Sequence, residues 1–267
     1  YLDGYLLVSS SRGALQSAGL GSWTALESLP AAVYHHAVVV GVSYIYVLGG
    51  IADGAPSDQI YYAELHTDGS IGNWQTSAVS LPNPVWGHTA AYLNGYIYLV
   101  GGADEVSETD ASAEVYVAGV DPLGQLTEFS PTVSLPAVRN GHTMVSYNNS
   151  LYVLGGFDNT GTKQQTVFYA GIDVDGSATG WLSAQDLPVA VSNHSSVCYN
   201  GLISVICGDI GEAVPLTRKV YYAEIDESPN LNWTLSVNEL YYRRKDGVAI
   251  AGDGQIIFLG GEELTGT

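Results

Sequence analysis

The sequence predicts an all-β fold built from repeated units, and three observations support this prediction. A short pattern recurs along the 267 residues at offsets of 52 to 54 residues. Short runs rich in Val, Ile and Tyr alternate with Gly, Asn, Asp and Pro, which is typical of strands joined by turns. No segment sustains the 3.6-residue apolar period of an amphipathic helix. We therefore expect little or no helix.

Three markers define the repeat. Apolar runs that end in Gly-Gly or Cys-Gly finish at Gly50, Gly102, Gly156, Gly208 and Gly261. Leu-Pro recurs at Leu29-Pro30, Leu81-Pro82, Leu135-Pro136 and Leu187-Pro188, with Glu239-Leu240 in the fifth place. An aromatic residue recurs at Trp23, Trp74, Phe129, Trp181 and Trp233. Each marker occurs five times, so we predict five repeats.

Each repeat is predicted to contain four short strands. A run such as HTAAYL is followed by a tight turn and by YIYLVGG, which indicates a hairpin. A loop leads to a third run, seen as YYAEL and YYAEI, and a turn such as DGSIGN then precedes a short fourth strand at the tryptophan. Four antiparallel strands per unit are the expectation.

The YIYVLGG, YYAEI and DGSIGNW segments resemble Kelch-type propeller repeats over nearly the whole chain. The resemblance implies four-stranded blades arranged radially around a central channel, with the first strand innermost. It implies no single function, because Kelch-like propellers include oxidases, sugar mutarotases and binding proteins. The expected fold is a five-bladed β-propeller of four-stranded antiparallel blades in one domain.

The two ends of the chain predict how the ring closes. The fifth unit ends after its second strand, QIIFLGG, and the N-terminal runs GYLLVSS and LGSWTAL would supply its third and fourth strands. Closure of this kind would remove open sheet edges. The expected blades are residues 31–80, 83–134, 137–186, 189–238, and 241–267 together with 1–29. In the alternative, YLDGYLLVSS matches the second-strand run YLNGYIYLVGG, which would leave the first unit without its third strand.

Composition restricts the partners and the cellular setting. Apolar residues make up 46% and charged residues 13% of the chain, which is typical of a folded protein with a core. The net charge of −19 disfavours nucleic acid and anionic membranes as partners. No apolar run is long enough to span a membrane, and no basic segment of a signal peptide precedes the chain, which we interpret as a processed segment. Few basic residues and abundant Tyr, Ser, Thr and Gly favour an extracellular or cell-surface protein.

The two cysteines flank a predicted hairpin turn at Asn200-Gly201. That turn would place Cys198 opposite Ile203 and leave Cys207 several residues further along. We expect buried free thiols rather than a disulfide between them.

A histidine column begins the first strand of four units, at His36, His88, His142 and His194, with Gly247 in the fifth place. The histidines could form a metal or proton site at the channel. A residue repeated in equivalent blades is better explained by hydrogen bonds that tie each blade to its neighbour. We adopt this structural interpretation.

The candidate ligand site comes from positions where the repeats differ. Two residues before the histidine column the units carry Tyr34, Trp86, Asn140, Ser192 and Lys245, and Arg139 and Arg244 stand one residue earlier. These linkers are expected on the same face as the loops after Gly-Gly. Aromatic rings stack on sugar C–H faces while Arg, Asn and Lys donate hydrogen bonds, so this face is predicted to bind a glycan. Exposed aromatics that serve only packing or protein contacts are the alternative.

Acidic residues follow each Gly-Gly, and they could attract calcium or a basic partner. The weak metal candidates are Asp104, Glu105, Asp209 and Glu212. No loop has an EF-hand pattern, and Asp173-Val174-Asp175-Gly176 occupies a turn position that Thr67-Asp68-Gly69 fills in another unit. We expect no obligatory cofactor, with calcium as an open possibility.

The expected function is a non-enzymatic extracellular binding or structural module. It would present its loop face to a glycan or a protein, as a monomer or within a larger surface assembly. The sequence contains no hydrolase, zinc-protease, phosphate-loop or dinucleotide motif. A carbohydrate-active enzyme that uses the same face is the alternative, because propeller enzymes assemble their sites from several blades. Sequons at Asn148, Asn193 and Asn232 are candidate glycosylation sites.

Overall fold

The computed structural model describes residues 27–107, 109–211, 216–225, 231–252 and 255–263. All regular structure within these ranges is β, as the repeat pattern predicts. Twenty strands are present in the described ranges, and they form four four-stranded sheets and two two-stranded sheets.

The first two four-stranded sheets are blade 1 and blade 2. Blade 1 contains β1 (Ala37–Val40), β2 (Tyr44–Leu48), β5 (Ile60–Glu64) and β6 (Gln75–Thr76). The loop after β2 carries a small hairpin, β3 (Ile51–Ala52) and β4 (Ala55–Pro56), that the sequence did not predict. Blade 2 contains β7 (Thr89–Leu93), β8 (Tyr96–Val100), β9 (Val115–Gly119) and β10 (Ser130–Pro131).

Blades 3 and 4 repeat this pattern, and a fifth unit supplies two longer strands. Blade 3 contains β11 (Thr143–Tyr147), β12 (Ser150–Leu154), β13 (Val167–Gly171) and β14 (Leu182–Ser183). Blade 4 contains β15 (Ser195–Tyr199), β16 (Leu202–Ile206), β17 (Val220–Glu224) and β18 (Thr234–Leu235). The fifth unit contains β19 (Lys245–Gly252) and β20 (Gln255–Glu262).

Each blade is an antiparallel meander whose strands pair in sequence order. The first strands of successive units are neighbours: β1 lies beside β7, β7 beside β11, β11 beside β15, and β15 beside β19. This arrangement is that of a propeller, with the first strand of each unit innermost. The outer strands β6, β10, β14 and β18 have two residues each, and such short edges limit pairing with other chains.

The number of complete blades differs from the prediction. The described residues form four four-stranded blades rather than five, because the fifth unit contributes only β19 and β20. The segments expected to complete it, GYLLVSS and LGSWTAL, lie outside the described residues, and so does Trp23. All-β structure and four-stranded antiparallel blades are confirmed.

The hydrophobic core consists of layers between adjacent blades. Between blades 1 and 2, the buried residues include Val39, Leu48, Ile97 and Leu99. Equivalent clusters lie between blades 2 and 3, between blades 3 and 4, and between blade 4 and the fifth unit. Burial of these apolar faces drives the blades together, so each blade is stabilised by its neighbours.

Tyrosine and tryptophan side chains add polar ties between blades. The Tyr46 hydroxyl of blade 1 donates to the Gly124 carbonyl of blade 2 at 3.0 Å, and Tyr98 of blade 2 donates to Gly176 of blade 3 at 2.8 Å. The indole N–H of Trp181 donates back to blade 2 at the Val133 carbonyl, at 2.8 Å. Buried polar groups therefore find their partners in the adjacent blade.

The predictions of free thiols and of the Cys198–Ile203 pairing are confirmed, while the predicted burial holds fully for Cys207 and only in part for Cys198. Cys198 pairs with Ile203 in the β15–β16 hairpin, as the Asn200-Gly201 turn requires. Both cysteines are free, and Cys207 is buried. Burial raises the pKa of the Cys198 thiol to about 11 and that of Cys207 to about 12. The thiols therefore stay protonated and poorly nucleophilic at neutral pH.

Candidate ligand-binding mouth of the channel

One position, the residue before the histidine column or before Gly247 in the fifth unit, marks one end of the channel, which we call the mouth. It is occupied by His35, Gly87, Gly141, Asn193 and Asp246, with φ of 53°, 62°, 57°, 51° and 55°. Backbone N–H groups connect them in succession: Gly87 to His35 at 3.2 Å, Gly141 to Gly87 at 3.1 Å, Asn193 to Gly141 at 2.8 Å, and Asp246 to Asn193 at 2.9 Å. Left-handed φ favours Gly, Asn, Asp and His, so local conformation selects the residue types at the mouth.

The linkers that precede the mouth pair with the loops after Gly-Gly. Bridges join Tyr34 to Ile51, Trp86 to Ala103, Asn140 to Phe157, and Ser192 to Asp209. Lys245 pairs with Glu262 in the same way. The prediction that linkers and post-Gly-Gly loops share one face is therefore confirmed.

Three aromatic rings form a continuous surface on the blade 1 and blade 2 side of the mouth. The Tyr34 and His35 ring centroids are 5.3 Å apart, and those of His35 and Trp86 are 5.5 Å apart. Tyr34 is 53% exposed. The Trp86 indole donates to the Glu105 carbonyl at 2.6 Å, which fixes the ring. Two of these residues, Tyr34 and Trp86, were sequence candidates, and His35 was not.

Two other candidates are buried and already bonded within the protein. Arg139 is 2% exposed, donates to Val138 O and Thr166 Oγ1, and lies over the Phe168 ring at 5.1 Å. Asn140 is fully buried, and its amide donates to the Asp110 carbonyl at 3.2 Å. These side chains support the mouth from beneath, because a buried guanidinium cannot reach a ligand without leaving its partners.

The remaining basic candidates are held by ion pairs on the opposite side of the mouth. Lys245 Nζ lies 3.1 Å from Glu262 Oε2 and 3.7 Å from Asp246 Oδ2. Arg244 lies 3.8 Å from Glu263 and donates to the Gly260 and Gly261 carbonyls. Partial burial raises the pKa of the Asp246 carboxyl, although Lys245 and His35 pull it the other way.

The mouth therefore has two chemically different halves. Blades 1 and 2 contribute the aromatic rings, and the fifth unit contributes Lys245 and Asp246. Asn193 of blade 4 lies between them, with its amide oxygen over Gly141. Sequence comparison of the repeats missed His35 and Asp246 because they adjoin the more regular histidine column. The sequence feature that would identify His35 and Asp246 is a non-glycine residue at a position where two other repeats carry glycine.

The acidic loops are engaged mainly in turns and ion pairs. Asp110 accepts the backbone N–H groups of Asp104 and Glu105, both at 2.9 Å. Asp209 lies 3.4 Å from Lys163 Nζ. Among the described residues, no group of three His, Cys, Asp or Glu side chains could hold a metal ion. Glu212 lies outside the described residues.

The Asp173–Gly176 stretch and the equivalent turn at Thr67–Gly69 are ordinary Asx turns. Asp68 Oδ1 accepts from Ser70 N and Oγ at 2.9 and 2.6 Å, and Asp175 accepts from Ser177 N and Oγ at the same distances. These hydrogen bonds lower the pKa of both carboxyls. The prediction of turn chemistry is confirmed.

Asp104 and Asp110 also form a carboxyl pair. The hydrogen bond and the negative charge of Asp110 raise the pKa of Asp104. Both residues line a cavity of about 400 Å³ together with Ser112, Glu114 and Tyr116. Such a pair can exchange a proton, which is an acid–base feature of this face.

Two members of the histidine column tie blades together, as the structural interpretation predicts, whereas His36 and His88 form no such side-chain hydrogen bond in the described structure. His142 Nε2 lies 2.9 Å from Thr89 Oγ1, and His194 Nε2 lies 2.7 Å from Thr143 Oγ1, each across a blade boundary. Burial lowers the pKa of His88, His142 and His194 to about 3. These histidines are therefore neutral at physiological pH, and they are buried.

The three sequons occupy different environments. Asn148 lies exposed at the tip of the β11–β12 hairpin. Asn232 is exposed before Trp233. Asn193 belongs to the mouth, and the next two residues of its sequon, His194 and Ser195, are buried. Asn148 and Asn232 are thus both accessible, whereas the Asn193 sequon is largely buried.

Comparisons with known proteins agree with the fold. A model of the Kelch motif matches residues 139–169. A Kelch domain-containing protein of Sulfurisphaera tokodaii is 32% identical over 51% of this chain and 18% of its own length. Beta-scruin of Limulus polyphemus is 27% identical over 65% of this chain and 19% of its own length. Kelch-like protein 36 of Mus musculus is 25% identical over 66% of this chain and 28% of its own length. The chain spans less than a third of the length of these relatives.

A solved structure has the same architecture. The structure of YjhT superposes with a TM-score of 0.66 at 17% identity, covering 88% of this chain and 75% of YjhT. Fold and mouth together define a β-propeller of four-stranded blades with a loop face at one end of the channel. The chain is therefore a β-propeller that contains a Kelch motif at residues 139–169 and is similar to Kelch-repeat proteins. In the ranges that the structure describes, no helix has the length and hydropathy of a membrane span.

Proposed function

We propose that this propeller is a non-catalytic binding module that holds a glycan at the channel mouth. The observation that supports the proposal is the continuous aromatic surface of Tyr34, His35 and Trp86. Such a surface on loops of a rigid ring is suited to a ligand with one flat apolar face and many hydroxyls.

The polar half of the mouth supplies the complementary groups. Asn193, Lys245 and Asp246 provide an amide, an ammonium and a carboxylate within one ring of backbone-bonded positions. Sugar hydroxyls both donate and accept, so a site with donors and acceptors opposite an aromatic surface can orient a pyranose ring. An extracellular or cell-surface location follows from the same proposal, and exposed Asn148 would be its first glycosylation site.

A glycan-array screen of the whole chain, with and without calcium, tests the proposal. Trp86→Ala and His35→Ala are expected to abolish the signal of any glycan that the wild type binds. Val174→Ala is the control, because this side chain is fully exposed in the turn between β13 and β14, at the opposite end of the blade from the linkers. Unchanged binding by Trp86→Ala would remove the mouth as the site, and a blank array would favour a protein partner.

An enzyme acting on the same class of sugar is a second candidate, and the Asp104–Asp110 pair is the observation that favours it. A bound array glycan is incubated with the wild type and with Asp104→Asn, and products are followed by mass spectrometry and anomeric NMR. Turnover lost in Asp104→Asn would establish the enzyme, whereas an unaltered sugar supports pure binding.

We further propose that the ring holds five blades and closes through the N-terminal segment. The indole N–H groups of Trp181 and Trp233 donate to the carbonyls of Val133 and Gln185 in the preceding blade. Each acceptor lies two residues before a Leu-Pro pair. Trp74 of blade 1 donates to Glu27 at 3.2 Å, which is also two residues before a Leu-Pro pair. The His35 side chain also lies close enough to lower the pKa of Asp246. These contacts support a blade that precedes blade 1 and adjoins the fifth unit.

A further inference from the structure

The linker between blade 4 and the fifth unit departs from the other linkers at three successive positions. It carries Tyr241, Tyr242 and Arg243, which we call the outer strip. The equivalent residues are Pro82, Asn83 and Pro84 before blade 2, Pro136, Ala137 and Val138 before blade 3, and Pro188, Val189 and Ala190 before blade 4. Positions that differ among otherwise equivalent repeats are free to serve a site, since the blade itself does not require them.

The two tyrosines of the outer strip are not core residues. Tyr241 is 77% exposed and Tyr242 is 39% exposed. The first of these positions is also exposed in the other linkers, as Pro82, Pro136 and Pro188 show. An aromatic ring there loses contact with water only when a partner covers it, so its presence points to a ligand.

The geometry of the pair forms a rigid corner. The ring centroids are 4.6 Å apart and the planes are inclined at 82°. The Arg244 guanidinium lies over the Tyr242 ring at 5.6 Å and holds it in place. Tyr242 therefore contacts both the Tyr241 ring and a cation, while Tyr241 stays largely exposed to solvent.

Arg243 differs from the two basic residues that follow it. Arg244 forms an ion pair with Glu263 at 3.8 Å, and Lys245 forms one with Glu262 at 3.1 Å. Arg243 is exposed, and no carboxylate in the described part of the chain forms an ion pair with it. In a chain of net charge −19, an exposed guanidinium without a carboxylate partner beside two aromatic rings is complementary to an anionic, partly apolar ligand.

The outer strip leads directly to the mouth, because Lys245 is both the end of the linker and a member of the polar half. A chain of sugar units that starts at the mouth can therefore continue along the linker. Resting on the glycan-binding function proposed above, we propose that the outer strip is a subsite that selects carboxylate-bearing oligosaccharides. Arg243 pairs with the carboxylate, and Tyr241 stacks on the sugar ring.

Calorimetric titration with an oligogalacturonate and with its methyl ester tests this subsite, since the two probes differ only in the charged group. The wild type is expected to bind the carboxylate form about tenfold more tightly, the usual effect of one charge-assisted hydrogen bond. Arg243→Gln should abolish that preference while ester binding persists. Lys219→Gln, which removes the same charge at another exposed site, should leave the preference intact. Tyr241→Ala should weaken both forms.

The outcomes separate the subsite from the mouth. Equal binding of both probes by the wild type, or an undiminished preference in Arg243→Gln, overturns the subsite while leaving the mouth proposal in place. Binding that Trp86→Ala leaves unchanged overturns the mouth proposal instead, and shows that the outer strip acts alone. No binding of either probe overturns the subsite, and the array result then decides the mouth.

Discussion

At the scale of single residues, the histidine column occupies the same position in four repeats, but its hydrogen-bond partner differs among them. His142 and His194 each meet a threonine of the preceding blade. Blade 1 has Ala37 at that threonine position, so His88 Nε2 has no hydroxyl across this boundary and lacks a hydrogen-bond partner in the described structure. A buried polar atom without a partner costs free energy, so this boundary is expected to be weaker than its equivalents.

Hydroxyl substitutions measure that difference. Thr143→Val should lower the free energy of unfolding by about 1–2 kcal/mol, because it leaves His194 Nε2 unpaired. Ala37→Ser should raise it by about 1 kcal/mol by giving His88 a partner. Urea unfolding provides the values, with Ala90→Ser as the control at an adjacent channel position. A loss of stability in Ala37→Ser would contradict this account of the His88 environment.

The buried histidines also predict an acid dependence of stability. Burial lowers the pKa of His88, His142 and His194 from 6.5 to about 3. Between these two pH values the unfolded chain therefore binds protons that the folded chain does not bind. Their contribution is complete above pH 6.5 and is lost progressively towards pH 3. Each histidine should add a slope of about 1.4 kcal/mol per pH unit below its unfolded value.

Urea midpoints at about pH 7.5, about pH 6 and about pH 5 test this dependence. His142→Gln should reduce the dependence of stability on pH by the contribution of one histidine, even if the variant is less stable overall. A stability that stays constant over this range, or an unchanged slope in His142→Gln, would be incompatible with three neutral buried histidines.

A glycine in the fifth unit makes room for Cys207 of blade 4. Cys207 stands where the other units have the first glycine of Gly-Gly, with φ of 58°. In the other units a Cβ there meets the next histidine, as Gly49 shows at 2.9 Å from His88 Cε1. The fifth unit has Gly247 in place of that histidine, so a thiol can be accommodated. Phe258 fills the remaining space, 2.1 Å from where a Gly247 Cβ would lie.

At the scale of elements, the turn between strands 3 and 4 packs on the preceding blade. A Cβ on Gly124 would lie 2.6 Å from the Tyr44 ring, and one on Gly176 would lie 2.7 Å from Tyr96. The equivalent Gly69 of blade 1 has nothing within 4 Å. Gly69 and Gly124 also have similar left-handed φ, +83° and +74°.

These two glycines form a matched pair of substitutions. Gly69→Ala and Gly124→Ala incur the same backbone cost, so their difference isolates the contact with Tyr44. Gly124→Ala should be more destabilising by about 1–3 kcal/mol, the usual cost of overpacking. Thermal and urea unfolding of both variants give the comparison. Equal losses would show that the turn of blade 2 does not pack on blade 1.

The strands and their registers were largely predictable from the sequence, and the mouth was only partly so. Asn200-Gly201 sets the Cys198–Ile203 pairing through turn geometry alone, because this contact is local. The burial of Arg139 was not predictable, since its direction depends on Phe168 in another strand. His35 was missed because left-handed φ at a non-glycine residue leaves little trace in one sequence.

At the scale of the whole molecule, the boundary between blade 1 and the fifth unit is where ring closure can be tested. Val38 and Val40 of β1 are 50% and 54% exposed, and Val248 and Ile250 of β19 are 59% and 48% exposed. The equivalent faces at the other boundaries are covered, as Val39 and Val197 show at 3% and 8% exposure. Two apolar faces of this kind stabilise a ring when they meet.

Paired cysteines test that closure. Oxidation of a Val38→Cys, Ile250→Cys variant should join the two strands within one chain, seen as faster migration on a non-reducing gel. All variants carry Cys198→Ser, because Cys198 is half-buried and lines the same cavity as Val38, while Cys207 is buried with a raised pKa and should not interfere. Val38→Cys with Val237→Cys is the control, because residue 237 lies beyond the outer strand β18. Failure of the first pair to oxidise would argue against a closed five-bladed ring.

The central claim is that the mouth, with Trp86, holds the ligand, and NMR of the tryptophan indoles tests it most directly. The chain has five tryptophans, and Trp74, Trp181 and Trp233 donate to carbonyls of the preceding segment or blade, away from the mouth. Titration with the strongest array glycan, with the Trp86 signal assigned by Trp86→Phe, should move the Trp86 indole resonance and leave those of Trp74, Trp181 and Trp233 in place. A ligand that shifts these other indoles while Trp86 stays unmoved would contradict the account.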